Sequence, residues 1–397
     1  MRVNLQAESL AHGGEAIARH EGRVVFLRGA APGDVVEAEV RGEGRFEHAT
    51  ALRVLERGGS RVDPPCPIVD RCGGCAVQHV AYDAQLAAKR DLTADALERI
   101  GGFPRGSYEL GAIVPSPRQF RYRRRARMHR APGGRWGFAQ AGASEVEPVD
   151  ACLLFEPLLE ELAAAAGEVP GATDLGLLAG QKHGAVDLRG QVSRKRAEKL
   201  LQHRLIRGVT LNGEALGDPV VVDAPLTNGA RLRARPDTFA QANRDAVPLL
   251  QREALAALAG AQRVLELYCG SGTLTLPLLG ERNVTAVEGA GPSLSLLRRS
   301  ADEAGLAVRL IAGDAGKVAA SWTEPLDAVL LDPPRTGAAD AVRALRAPRI
   351  VYVSCDAPTL ARDGKLLAQA GYRLAAAVPL DLFPQTAHFE VVATFLR

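Results

Sequence analysis

Between residues 263 and 355 the chain alternates short, mainly apolar runs with stretches of helical spacing. The runs are RVLELYC (263–269), NVTAVE (283–288), VRLIAG (308–313), LDAVLLD (326–332) and RIVYVSC (349–355). Val, Leu and Ile with no polar face mark strands covered on both sides, and the gaps between the runs suit crossover connections. A parallel α/β sheet with helices on both faces is predicted for 236–397. YRLAAAVPL and FEVVATFL predict an antiparallel pair at its end.

Upstream the pattern is different. Residues 1–58 read as strands cut by glycine: VVFLRGAAPGDVVEAEV (24–40) sets a Gly/Pro/Asp turn between two β runs, and ATALRVLE (49–56) adds another. A small β-barrel is expected there, followed by a linker at GGSRVDPPCP (58–67). Residues 59–235 read as a mixed central unit with a helix at 82–102, stopped by Gly101 and Gly102. It carries two basic stretches: seven arginines within 117–130, and QVSRKRAEKLLQHRLIR (191–207), read as a basic helix. The fold class is thus α/β multidomain, in three units: 1–58, 59–235 and 236–397.

Composition excludes some classes. With 47% hydrophobic and 24% charged residues, the 397-residue chain can bury full cores. No run of 18 apolar residues offers a membrane span, and MRVNLQAES lacks a basic start leading into an apolar segment. A cytoplasmic protein without membrane contact is expected. The net charge of +3 conceals 43 Arg against 6 Lys, an excess read mainly as the signature of a GC-rich genome.

The first apolar run of the α/β segment ends in Tyr268-Cys269-Gly270-Ser271-Gly272-Thr273, a glycine turn opening TLTLPLLG. Glycines allow a sharp turn and close approach of a ligand. Glu288 ends the next run, where a doubly wound fold places an acid against ribose hydroxyls, and Asp314 and Asp332 follow the next two. Thr275 stands where a dinucleotide fingerprint has its third glycine, so an adenosine ligand without a pyrophosphate is favoured.

Cys355 ends the last parallel run, in VSCDAPTLARD. A lone cysteine is commonly a small buried hydrophobe, but this one stands where open α/β sheets present reacting groups. Asp332 in DPPR and Glu390 in FPQTAHFE join it at that edge, and His388 would share a face with Glu390 if the strand began early. A thiolate, a carboxylate base and an adenosyl methyl donor suit methylation of uracil at C5. Thiolate attack at C6 makes C5 nucleophilic, and a base must later take the C5 proton. Spacing alone does not single out uracil.

Cys66, Cys72 and Cys75 form C-x5-C-x2-C, and Cys152 is a candidate fourth ligand. Four thiolates suit a [4Fe–4S] cluster or a zinc ion. The long arm before a single C-x2-C favours the cluster, in a structural or RNA-positioning role.

These motifs, in this order, resemble the SAM-dependent RNA uracil-C5 methyltransferases, which act on 23S rRNA or on the T loop of tRNA. FLRGAAPGDVVEAEV resembles that family's TRAM domain, a small OB-like RNA-binding barrel, and CPIVDRCGGCAVQH its iron–sulfur motif. FAQAN (239–243) is similar to the element whose glutamine touches S-adenosyl-L-methionine (SAM), which implies Gln241. The resemblance further implies SAM contacts from Tyr268, Thr273, Glu288, Asp314 and Asp332, Cys355 as nucleophile and Glu390 as base. It also implies a structured RNA substrate, 23S rRNA before tRNA, and a monomer. Arginines of 117–130 are candidates for phosphate contacts, with Phe120 and Tyr122 to stack on bases. Two other classes stay open: C5 methylation of DNA or a free nucleotide, and a non-catalytic RNA-binding or assembly protein.

Overall fold

The computed structural model describes residues 1–41 and 46–397. The N-terminal strands are β1 (Arg2–Gln6), β2 (Ser9–Leu10), β3 (Ala16–His20), β4 (Arg23–Arg28), β5 (Val35–Arg41) and β6 (Phe46–Glu56), in sheet order β1-β5-β6-β4-β3-β2. Along β5 the alternation is visible: Val36, Ala38 and Val40 are buried, and join Leu5, Val25 and Leu27 in one apolar cluster. The predicted turn between β4 and β5 holds Gly33 at φ +91°. Next to it, buried Asp34 accepts from Ala31 N and Gly58 N and pairs with Arg61 at 2.7 Å, which fixes how the chain leaves this sheet.

Helix α1 (Tyr82–Arg99) follows, close to its predicted span. Just past its end, Gly101 must lack a side chain: a Cβ there would lie 2.6 Å from Leu97 O. This helix and β7 (Glu109–Leu110) belong spatially to the C-terminal sheet. Ala96 and Leu97 share a core with Leu360, Leu367 and Phe395, and β7 pairs with a C-terminal strand.

The central sheet contains β8 (Arg125–Arg130), β9 (Trp136–Ala139), β10 (Val146–Pro148), β11 (Ala172–Ala179), β12 (Gly184–Gly190), β13 (Ile206–Leu211) and β14 (Glu214–Gly217), in order β10-β9-β8-β11-β12-β13-β14. Helices α2 (Pro157–Ala166) and α3 (Arg194–Leu200) pack on it. The basic helix expected over 191–207 is therefore only seven residues long. Leu205 and Ile206 are drawn into the core, where Ile206 begins a strand parallel to β12, and the helix gives way. A hairpin, β15 (Val221–Pro225) and β16 (Arg231–Ala234), leads on to α4 (Val247–Ala257).

The C-terminal elements run β17 (Arg263–Leu267), β18 (Asn283–Glu288), α5 (Gly291–Glu303), β19 (Arg309–Ala312), α6 (Ala315–Ser321), β20 (Ala328–Leu331), α7 (Ala339–Ala344), β21 (Arg349–Ser354), α8 (Ala357–Gln369), β22 (Arg373–Leu380) and β23 (Glu390–Leu396). Their sheet order is β19-β18-β17-β20-β21-β23-β22-β7. The five apolar runs are the parallel strands, and β23 is antiparallel to both β21 and β22. Helices α4 and α5 cover one face, and α1, α6, α7 and α8 the other. From β17 the chain passes to β18 on one side, while β20 flanks it on the other. The crevice at that reversal, beyond the carboxyl ends, is where such sheets bind ligands. Among the described residues no helix is long and apolar enough to cross a membrane.

Candidate active site

The turn after β17 is built for close approach. Tyr268 adopts φ +63°, an unusual value for a non-glycine, and Gly270 and Gly272 follow at +55° and +93°. Gly272's φ of +93° favours glycine, and a Cβ there would also crowd Leu297 Cδ1 of α5 at 2.5 Å. Glu288 braces this turn, its carboxylate accepting from Gly270 N at 2.9 Å and Ala290 N at 2.8 Å. Tyr268, Glu288 and Asp332 close β17, β18 and β20, and Asp314 stands two residues past β19, so all four lie along one sheet edge. Asp314 is exposed and caps α6 through Lys317 N. Thr273 is half-buried, its carbonyl held by Gln251 Nε2 at 2.8 Å. Gln241 is buried on the loop before α4, which is fastened by Arg124 Nε on its carbonyl and by Asn243 on Leu382 O.

Farther along the same edge, the β21/β23 ladder ends at Ser354 opposite Val391. Continued by one residue, that register sets Cys355 opposite Glu390. Glu390 is 4% exposed, and its Oε2 has no hydrogen-bond partner among the described residues. Burial, and then the charge of Asp332, push its carboxyl well above the usual range, while Arg335 opposes them. Burial also raises Asp332 to about 7. The Cys355 thiol is pushed up to about 11 by burial and by Glu390 and Asp332, again with Arg335 opposing.

Arg335 Nη2 donates to His388 Nε2 at 3.3 Å. Burial and this cation lower His388 to about 4, so it is a neutral acceptor at neutral pH. His388 precedes β23 and does not share a strand face with Glu390, because regular pairing starts only at Glu390. A cavity of about 310 Å³ opens here, with His12, Gly73, Arg335, Cys355, Asp356 and His388 in its wall.

Sequence reasoning missed how the loop ahead of Glu390 is held. Lys89 and Asp381 form a buried ion pair at 2.7 Å, and Lys89 also donates to Phe383 O. Gln85 accepts from Gln385 N and donates to Gln385 Oε1, each at 3.0 Å, while Tyr122 donates to Pro384 O. Gln85, Lys89 and Thr93 are buried polar residues at helical spacing on α1, and that stripe was the available signal.

Cys66, Cys72, Cys75 and Cys152 all line a second cavity, together with Arg123. Burial and the neighbouring thiols push Cys75 up to about 12. Among the described residues no three Cys, His or carboxylate groups gather tightly enough to hold a single ion. Gly73 is pressed onto the central sheet: a Cβ there would lie 2.7 Å from Ala139 O.

The arginine stretch serves the fold more than was expected. Arg118, Arg121, Arg124 and Arg127 pair with Asp245, Glu160, Asp223 and Asp187. Tyr122 is 2% exposed and cannot stack on a base, because its ring fills the core that carries the Glu390 loop.

Two family matches fall on this chain: the TRAM domain on residues 1–42 and tRNA (Uracil-5-)-methyltransferase on residues 320–397. The chain is 37% identical to the 23S rRNA (uracil(1939)-C(5))-methyltransferase RlmD of Pseudomonas entomophila, covering 99% of this chain and 93% of that one. It is 32% identical to an uncharacterized RNA methyltransferase of Thermosynechococcus vestitus, over 98% of this chain and 97% of that one. Its fold matches the crystal structure of Pyrococcus abyssi tRNA (uracil-54, C5)-methyltransferase in complex with S-adenosyl-L-homocysteine, with TM-score 0.79, 23% identity and 99% of each chain covered. The glycine turn, the strand-end thiol and full-length likeness at this identity agree: the chain belongs to the SAM-dependent RNA uracil-C5 methyltransferases.

Proposed function

We propose that this enzyme methylates C5 of a uridine in structured RNA, with Cys355 as nucleophile and Glu390 as base. The observation that carries the reading is the placement of Cys355 opposite Glu390, one step past the last ladder pair. SAM supplies a methyl cation equivalent from its sulfonium. Tyr268, Thr273, Glu288, Asp314, Asp332 and Gln241 are the residues that would hold it. Cys355 Sγ bonds to C6, and the electron pair of the C5–C6 double bond moves into an enolate. C5 takes the methyl group, Glu390 accepts the C5 proton, and the C6–S bond breaks to restore the double bond and free the thiolate. Arg335 is the cation placed to favour that thiolate. The target base must leave its stack to reach a strand-end pocket.

The substrate read as best supported is 23S rRNA, the RNA named for the RlmD relative. The tRNA named for the Pyrococcus abyssi enzyme is the alternative. The four cysteines fit a [4Fe–4S] cluster by their chemistry and their shared cavity; Cys66, Cys72, Cys75 and Cys152 would each bind one iron, which ties the 66–78 loop to the central sheet. The proposed units are 1–58, 59–235 and 236–397, with α1 and β7 of the middle stretch packed on the C-terminal sheet, in a cytoplasmic monomer. Tritium release from C5-labelled uridine tests the reaction, using unmodified 23S rRNA and tRNA transcripts. Release from one RNA that needs both SAM and Cys355 is the expected result. Release by a Cys355→Ala protein would sink the mechanism.

A further inference from the structure

One N-terminal loop reaches into the catalytic edge. His12 Nε2 donates to Asp356 Oδ2 at 3.1 Å, across 344 residues of sequence. The same ring meets Phe389 edge-on, with centroids 6.1 Å apart. Asp356 follows Cys355 and Phe389 precedes Glu390, so one imidazole touches the chain neighbour of each proposed reacting residue. The loop is tightly seated. Gly14 sits at φ +86°, and a Cβ there would lie 2.7 Å from Ala76 Cβ and 3.3 Å from Ala387 Cβ. Asp356 uses its other oxygen to cap α8 through Thr359 N at 2.8 Å, so a pull on Asp356 acts directly on the turn that carries the thiol. His12 and Gly13 also line the cavity that opens onto Cys355.

The ladder holds Ser354 against Val391, but no rung of it reaches the next pair. Beyond its end, His12 cross-links the two flanking residues. We propose that His12 is a positioning residue of the methylation reaction: the N-terminal sheet supplies the outer wall of the base pocket, and His12 sets the separation of Cys355 from Glu390. The proposal rests on the reading of Cys355 as nucleophile. Displacing a reacting group by an ångström costs on the order of 10²-fold in rate.

The test uses the full chain, SAM and RNA transcripts carrying 5-fluorouridine. Fluorine at C5 leaves no proton to remove after methyl transfer, so the Cys355–RNA adduct persists and its formation rate at saturating RNA reports thiolate attack and methyl transfer, free of the elimination step that the base serves. RNA affinity is measured separately in a Cys355→Ala background. His12→Ala should slow adduct formation about 10- to 100-fold, with the dissociation constant little changed. His12→Asn keeps a donor for Asp356 and should recover part of the rate, which a general loss of folding would not allow. An unchanged saturated rate with weakened RNA binding would overturn the proposal, leaving this sheet as an RNA tether. Equal loss in His12→Ala and His12→Asn would overturn it as well. If the unsubstituted protein forms no adduct, the Cys355 reading itself falls, an outcome distinct from a defect confined to the His12 variants.

Discussion

Cys355 and Glu390 face each other one step past the last rung of the β21/β23 ladder, Ser354 opposite Val391. Burial first, and then the charges of Glu390 and Asp332, raise the thiol; burial and then Asp332 raise Glu390. Ionised Glu390 thus opposes ionisation of the thiol, and ionised Asp332 opposes both groups. Arg335 is the positive charge that counters both.

Reactivity of the free enzyme should follow that balance. With the Cys355 thiol pushed up to about 11, its thiolate fraction grows about tenfold per pH unit through the neutral range. Alkylation of Cys355 by iodoacetamide should therefore accelerate steadily from acid to alkaline pH. Arg335→Gln should move that profile to higher pH, and Asp332→Asn to lower pH. Coincident profiles for all three proteins would show that these charges do not set the thiol.

Glu390→Gln keeps the shape of the base and removes its proton affinity. Methyl transfer should proceed while elimination stalls, so a covalent RNA–protein adduct should survive denaturing electrophoresis. Turnover should fall by roughly 10²- to 10⁴-fold. A variant that turns over normally would remove Glu390 from the mechanism.

Glu266 is wholly buried in β17, and burial raises its carboxyl to about 8, partly offset by Thr275. Its folded-state pKa therefore lies above the unfolded value near 4.5, and the folded protein holds the proton more tightly. The stability this confers is complete below about pH 4.5 and is lost as pH climbs towards 8. Glu266→Gln removes the cost of ionising this buried group. Its melting temperature should exceed that of the unsubstituted protein at pH 8, with a smaller gap at pH 5. A gap independent of pH would contradict the assignment.

The Lys89–Asp381 pair is buried on both sides. Lys89→Met should cost roughly 3–5 kcal/mol by stranding a carboxylate, whereas Lys89→Met with Asp381→Asn should recover much of that. Urea midpoints of the three proteins give the comparison. Two additive losses would mean the pair is not coupled.

Iron and acid-labile sulfide measured after anaerobic purification should each approach about four per chain. Cys72→Ala should lower both. Zinc in place of iron, with no sulfide, would replace the cluster by a single ion.

Much of the α/β unit could be read from the sequence because its strands are covered on both faces, and such burial forces a predominance of Val, Leu and Ile in the chain itself. The glycine turn was legible for a related reason: the φ of +93° at Gly272 is a backbone conformation that glycine adopts without strain. Cys355 stood out because its strand ends there. The limits of α3 and the burial of Tyr122 could not be read in this way. Ile206 leaves the helix for a strand because β12 is alongside to pair with it, and Tyr122 turns inward because Pro384 offers an acceptor 262 residues away.

The chain by itself determined the order of its elements, the end of the sheet where the proposed chemistry lies and the residue types brought there, since local burial and turn geometry are written residue by residue. Tertiary structure alone decided that α1 straps the Glu390 loop through Gln85 and Lys89, that Arg335 stands beside the thiol, and that His12 reaches Asp356 and Phe389. The contacts of α1 and of His12 join segments about 300 residues apart, and a polar side chain shows no periodicity that would name its distant partner.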